Sequence, residues 1–161
     1  MRELIIQRNQ NILDLPTPDE ISGVCVTTNG VVKKNGHAVM GKGNALEIDN
    51  YYHVSPLLGK YLTQYGNRVF NLGLYYLSNG VQTFPFRLFS FPTKYDWRND
   101  SDLTLICRSC EQLVELCDKL QISKCFLPPP GCGCGNLDYN VIVKPAIELL
   151  LDDRFTVVLR K

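Results

Sequence analysis

Two glycine-rich segments, Gly41 to Gly43 and Gly131 to Gly135, constrain this chain most, because each follows an apolar run that reads as a strand and leads into a stretch expected to be helical. A glycine-rich turn between strand and helix lets the backbone approach a ligand closely. It also aims free N–H groups and the positive end of the helix dipole at an anion. Two such turns in one open α/β sheet face the same sheet edge, where ligands of these sheets bind. The pair predicts a cradle for the diphosphate of a nucleotide-like ligand.

The remaining pattern agrees with that frame. Leu4 to Ile6, Gly23 to Val26, Cys125 to Leu127 and Phe155 to Leu159 read as strands, most of them buried on both faces. Asp102 to Leu120 and Tyr139 to Leu151 show helical periodicity, with Ser101 or Asp100 as the expected N-cap of the first. The alternating runs Arg68 to Leu77 and Val81 to Phe91 flank Ser78-Asn79-Gly80, a hairpin signature. The order predicts an α/β fold, a mixed sheet with helices on both faces, forming one domain over residues 1–161.

A net charge of +1 and a charged fraction of 20% exclude a polybasic nucleic-acid arm, and an apolar fraction of 45% excludes a disordered tail. No segment approaches ~20 uninterrupted apolar residues, and the run Met1 to Ile6 is too short for a signal sequence, so a cytoplasmic protein without membrane contact is expected. Among the seven cysteines, Cys107, Cys110 and Cys117 share a helical stripe with Leu103, Ile106, Leu113 and Val114 and read as reduced core residues. A zinc site from Cys107, Cys110, Cys132 and Cys134 is the sharper alternative, but the stripe already accounts for the first pair. No metal and no cofactor are expected.

Taken alone, Gly41-Lys42-Gly43 reads first as a plain turn with a solvated lysine. Gly131-Cys132-Gly133-Cys134-Gly135 can present successive N–H groups as an anion-binding concavity. Neither segment is a Walker loop or the dinucleotide fingerprint, which sets aside a P-loop kinase and an ordinary dehydrogenase.

A third segment, Phe91-Pro92-Thr93-Lys94-Tyr95-Asp96-Trp97-Arg98, leaves the hairpin and should bring Lys94 to the edge that carries the glycine loops. A desolvated or cation-crowded lysine amine can attack an acetal-like carbon or form a Schiff base. Spacing alone favours a plainer role, an ion pair with Asp96 or Asp100 or a point charge on phosphate. His37 reads as a solvated loop residue, and His53 has no partner pattern. Lys33, Lys34, Arg98 and Trp97 could contact a nucleic-acid strand, against the plainer reading of solvated charges and a core tryptophan.

At this point the chain resembles a macrodomain, the ADP-ribose-binding α/β/α module. The similarity runs through Arg8-Asn9-Gln10-Asn11-Ile12, Thr28-Asn29, Val39-Met40-Gly41-Lys42-Gly43-Asn44-Ala45, Phe91-Pro92-Thr93-Lys94, Gly131-Cys132-Gly133 and Leu137-Asp138-Tyr139. It is closest to the branch of antitoxin macrodomains that remove ADP-ribose from DNA. The resemblance implies a three-layer fold with a central mixed sheet. It implies ADP-ribose or an ADP-ribosylated macromolecule as partner, DNA rather than protein, with a cognate ADP-ribosyltransferase toxin as a further partner, and a monomer is expected.

The same resemblance distributes the site. Met40, Gly41, Lys42, Gly43 and Ala45 would border the distal ribose and diphosphate, and Asn29 would face the ribose. Gly131, Cys132, Gly133, Cys134, Gly135, Asn136 and Leu137 would form the second diphosphate loop, with Thr93 beside Lys94. Asn11, next to Ile12, stands where many macrodomains carry an aspartate that accepts from the adenine amino group; an amide oxygen is a weaker acceptor. Lys94 would be the nucleophile of an ADP-ribosyl glycohydrolase, a hydrolase of N-glycosyl bonds. One departure stands out: where related protein-directed enzymes place an assisting aspartate in the second loop, this chain has Gly135. A non-catalytic reader or scavenger of ADP-ribose, or a phosphatase acting on ADP-ribose 1″-phosphate, are the alternatives.

Overall fold

The computed structural model describes residues 5–8, as backbone, and 12–159. These residues form one six-stranded sheet from β1 (Ile5–Arg8), β2 (Ser22–Thr28), β3 (Phe70–Ser78), β4 (Thr83–Pro92), β5 (Cys125–Leu127) and β6 (Phe155–Leu159), in the order β1-β6-β5-β2-β4-β3. Only β3 runs antiparallel to its neighbour, as the hairpin signature predicts. The helices are α1 (Asn44–Tyr52), α2 (Ser55–Tyr65), α3 (Leu103–Leu120) and α4 (Lys144–Glu148).

Strand alternation sorts side chains into two cores. Val24, Val26, Phe86 and Leu88 pack with Ile48 of α1 and with Leu58 and Leu62 of α2. Cys25, Phe89, Phe91 and Val157 point the other way, onto Ile106, Cys110, Leu113 and Cys117 of α3 and Ile147 of α4. The result is the three-layer α/β/α arrangement expected. Phe86, Phe89 and Phe91 are fully buried, and truncating any of them to alanine costs about 3–5 kcal/mol.

Four local expectations are corrected. The first turn of α3 is capped by Asp102, whose carboxylate accepts from the Leu105 amide at 3.0 Å. Ser101 and Asp100 are occupied elsewhere: the Ser101 amide donates to the Gly135 carbonyl, and the Asp100 carboxylate accepts from the Asn136 side-chain Nδ2. The expected helix over Tyr139 to Leu151 is a widened π turn, Tyr139–Val143, followed by the short α4. Pro145 has no N–H for a regular i to i−4 bond, and the Lys144 amide reaches back to the Tyr139 carbonyl instead. Cys110 and Cys117 are core residues, whereas Cys107 is half-buried at the margin of the stripe. Trp97, expected in the core, is 47% exposed.

In this sheet β2 lies between β5 and β4, all three parallel, so the segments leaving Thr28, Pro92 and Leu127 emerge side by side at one edge. That adjacency positions everything described next. No described helix is long and apolar enough to cross a membrane.

Candidate functional site

A cavity of about 600 Å³ opens at this edge, inside the usual range for small-molecule sites. Most of its wall comes from the three neighbouring strand exits, with Ile12 and Val158 added from outside them.

The exit of β2 is an ordered loop. The Lys33 amide donates to the His37 carbonyl and the Val39 amide to the Val31 carbonyl, so Val32 and Ala38 form a β-bridge. Asn29 holds this loop in place: its amide donates to the Val39 carbonyl at 2.8 Å and its Oδ1 accepts from the Val31 amide at 2.9 Å. The loop returns through Gly41 and Gly43, at φ of +67° and +89°, and Gly43 precedes the first turn of α1. A Cβ at either glycine would meet nothing within 4 Å. Packing therefore places no demand on these two positions; the left-handed backbone does. Behind them the Asn44 Oδ1 is buried without a protein partner among the described residues.

The second loop follows Pro128-Pro129-Pro130. Its Gly131, at φ of +76°, accepts from the Leu137 amide, and Gly133 accepts from the Asn136 amide. Here absence of side chains is a packing requirement. A Cβ at Gly131 would approach Ile106 and Ser101 to 2.9 Å, and one at Gly135 would overlap the Ser101 hydroxyl and the Gly131 carbonyl.

Between the loops, the exit of β4 is pinned on both sides. The Thr93 amide donates to the Thr28 carbonyl, the Asp102 amide to the Thr93 carbonyl and the Asn67 side chain to the Lys94 carbonyl. Lys94 then reaches across the cavity mouth, its Nζ donating to the Cys134 carbonyl at 3.1 Å and to the Trp97 carbonyl at 3.4 Å. Its plainer role as an ion-pair partner is not the arrangement found. Asp96 is paired with Arg98 at 2.6 Å and Asp100 is taken by Asn136. Hydrogen bonds from the Arg98 side chain, then from its amide, hold the half-buried Asp96 carboxyl down to about 2.

Of the residues singled out from sequence, Ile12, Asn29, Met40, Gly41, Lys42, Gly43, Thr93, Lys94, Gly131, Cys132, Gly133, Cys134 and Gly135 line the cavity together. Ala45 does not; it sits on the core side of α1 with Ile48. Asn136 turns to Asp100 and Leu137 packs into the α3 core, so neither reaches the cavity. Asn11 lies outside the described residues. Ser101, Pro128, Pro129 and Val158 also line the cavity but carry no motif of their own, and Asn44, inside the Val39–Ala45 motif, joins them. The Ser101 hydroxyl is buried without a protein partner among the described residues.

The electrostatics are one-sided. Lys42, Lys94 and Arg98 line the cavity, and no carboxylate among the described residues does. Ile12, Met40, Pro128, Pro129 and Val158 add apolar wall. The arrangement suits an anion flanked by flat or ribose-like groups, with one primary amine at the mouth.

No family model matches the chain. A protein of Thermus aquaticus called DNA ADP-ribosyl glycohydrolase is 28% identical over 148 residues, covering 87% of this chain and 37% of its own length. A protein of the same name from Mycobacterium tuberculosis is 30% identical over 103 residues, covering 63% of this chain and 29% of its own length. The chain thus spans about a third of the curated relatives it matches. Among solved structures, the macrodomain of Mycobacterium tuberculosis DarG superposes with a TM-score of 0.70 at 25% identity, covering 98% of this chain and 99% of that one. Thermosipho africanus DarTG in complex with ADP-ribose gives 0.71 at 20% identity, covering 98% and 43%, which is a likeness of fold. Layer order, sheet topology and sequence likeness together give this chain a macrodomain fold, similar to the DarG macrodomains.

Proposed function

We propose that this macrodomain binds ADP-ribose and, as an ADP-ribosyl glycohydrolase, releases it from modified DNA with Lys94 as nucleophile. The observation that carries this is the place of the Lys94 amine. It lies at the mouth of a cationic cavity, 3.1 Å from the carbonyl of Cys134 in the second glycine loop. The curated relatives' name supports the activity and the DNA substrate.

Binding follows from the walls. The diphosphate is held between the Gly41–Gly43 and Gly131–Gly135 backbones with Lys42 nearby, and the adenosine end lies toward Ile12 and Val158. The distal ribose then faces Lys94. A deprotonated Nζ attacks its anomeric carbon while the bond to the modified base breaks, and the base leaves with the electron pair and takes a proton from water. The ribose ring opens to an imine on Lys94. Water adds to that carbon, the amine departs, and the sugar closes again. The anomeric carbon stays at the aldehyde oxidation level, so water is the only co-reactant.

Asn29 acts here through the loop it braces, and Ser101 and Asn44 supply polar groups that lack protein partners among the described residues. Cytoplasmic location, a monomeric state and a cognate ADP-ribosyltransferase toxin as partner belong to the same reading.

The two carbonyls that occupy Lys94 and the glycine at 135 favour a second reading, a reader that holds ADP-ribose without turnover. A substrate panel separates them: ADP-ribosylated DNA, ADP-ribosylated protein and ADP-ribose 1″-phosphate, with wild type and Lys94→Ala. The proposal expects release from DNA that Lys94→Ala abolishes while affinity for free ADP-ribose stays nearly intact. Binding without release from any substrate establishes the reader, and phosphate release independent of Lys94 a phosphatase.

A further inference from the structure

A second recess, of about 310 Å³, lies on the outer side of the first glycine loop. It shares the Met40–Lys42 segment and Trp97 with the main cavity, and adds Lys33, Leu46 and Asp49. Trp97 therefore stands at the boundary between the two. Its backbone carbonyl is one of the two acceptors of the Lys94 amine, so Trp97 adjoins the reacting centre proposed at Lys94.

The chemistry of the boundary is specific. Trp97 is 47% exposed, and the Arg98 guanidinium lies over its ring at 5.7 Å, held there by Asp96. A half-exposed indole held in place beside a guanidinium is a platform on which a base can stack. The charges facing the recess are Lys33 and Lys42 against Asp49, whose Oδ1 already accepts from the Ser55 amide at 2.8 Å. An aromatic platform beside two lysines is the combination that holds single-stranded nucleic acid, by stacking a base and neutralising its phosphate.

We infer that this recess seats the nucleotide adjoining the ADP-ribosylated one, so that the protein recognises its substrate as a single DNA strand rather than as ADP-ribose alone. The inference rests on the proposed ADP-ribose site. Trp97 stacks the neighbouring base, and Lys33 and Lys42 contact the phosphate between the two nucleotides.

The test measures equilibrium affinity in the Lys94→Ala background, where substrates stay intact whether or not the protein turns over. Ligands are free ADP-ribose, an ADP-ribosylated mononucleotide, an ADP-ribosylated single strand of about ten nucleotides and an ADP-ribosylated peptide. The strand is expected to bind about tenfold tighter than the mononucleotide, with the gain shrinking as salt rises. Lys33→Glu and Leu46→Glu, each at a position lining only the recess, should erase the gain and leave affinity for free ADP-ribose unchanged. A strand that binds no tighter than the mononucleotide, or a gain that survives both substitutions, overturns the inference while the ADP-ribose reading stands. An equal gain for the peptide, lost in the same variants, reassigns the recess to protein. Failure of wild type to bind free ADP-ribose sinks the underlying reading instead.

Discussion

The Lys94 Nζ lies 3.1 Å from the Cys134 carbonyl, so the exit of β4 is latched to the second glycine loop by the residue that would do the chemistry. An attacking amine must give up that hydrogen bond, whereas a merely electrostatic lysine need not. The two roles therefore part on substitution by arginine, which keeps charge and donors but forms no imine. Lys94→Arg should retain ADP-ribose affinity within about threefold and lose release of ADP-ribose from modified DNA by at least about a thousandfold. Borohydride added during turnover should fix the opened ribose to Lys94, visible by mass spectrometry. Full activity of Lys94→Arg, or trapping at another residue, would remove Lys94 from the nucleophile's role.

The glycines of the two loops separate folding from binding. Gly41 has open space where a Cβ would go, so Gly41→Ala costs about 1 kcal/mol for its left-handed backbone and lowers ADP-ribose affinity by crowding the ligand. Gly135→Asp places an acid where the macrodomain resemblance implies an assisting aspartate, but its Cβ has no room beside the Ser101 hydroxyl and the Gly131 carbonyl. It should destabilise by about 3 kcal/mol and lower the melting midpoint by about 6–12 °C. Calorimetric unfolding and titration of both variants check this. A Gly135→Asp protein that melts like wild type and gains turnover would show that the loop accepts the acid.

Much of this arrangement is legible in the sequence, for reasons that the exceptions clarify. Strand patterns along β4 and β6 and the Asn79-Gly80 reversal are local signals, so the mixed sheet follows from them. Pro145 is a local signal too, and it accounts for the broken start of α4. Asp102 displaced Ser101 as the cap because the Ser101 amide serves Gly135, a partner far along the chain that propensity cannot see. Ala45 and Leu137 were expected to line the cavity but face the cores: adjacent positions in a motif share sequence, not orientation. Trp97 was expected inside because tryptophan usually is; its exposure follows from the Asp96–Arg98 clamp and the short exit of β4, which no periodicity encodes.

The two cysteines of the second loop provide a chemical readout of its exposure. Cys134 is exposed, whereas Cys132 is half-buried and its thiol donates to the Pro130 carbonyl at 3.3 Å. Burial, then the nearby Asp138 charge, raises the Cys132 thiol to about 11. Because the thiolate is the reactive form, Cys132 stays protonated and slow at about pH 8. Any stability that the neutral thiol contributes is fully present below the ordinary thiol range, about 8.5, and is lost as pH rises through about 11. Cys25, Cys110, Cys117 and Cys125 are buried, and Cys107 is half-buried with its thiol also raised by burial. Iodoacetamide at about pH 8 should therefore label Cys134 first among the seven, with Cys132 catching up only as pH approaches about 11. Saturating ADP-ribose should slow the labelling of Cys134 if the second loop holds the diphosphate. Peptide mass spectrometry over a pH series reads both effects. Equal rates at Cys132 and Cys134 near pH 8 would contradict the burial of the first, and labelling of Cys134 indifferent to ADP-ribose would take the second loop out of the binding site.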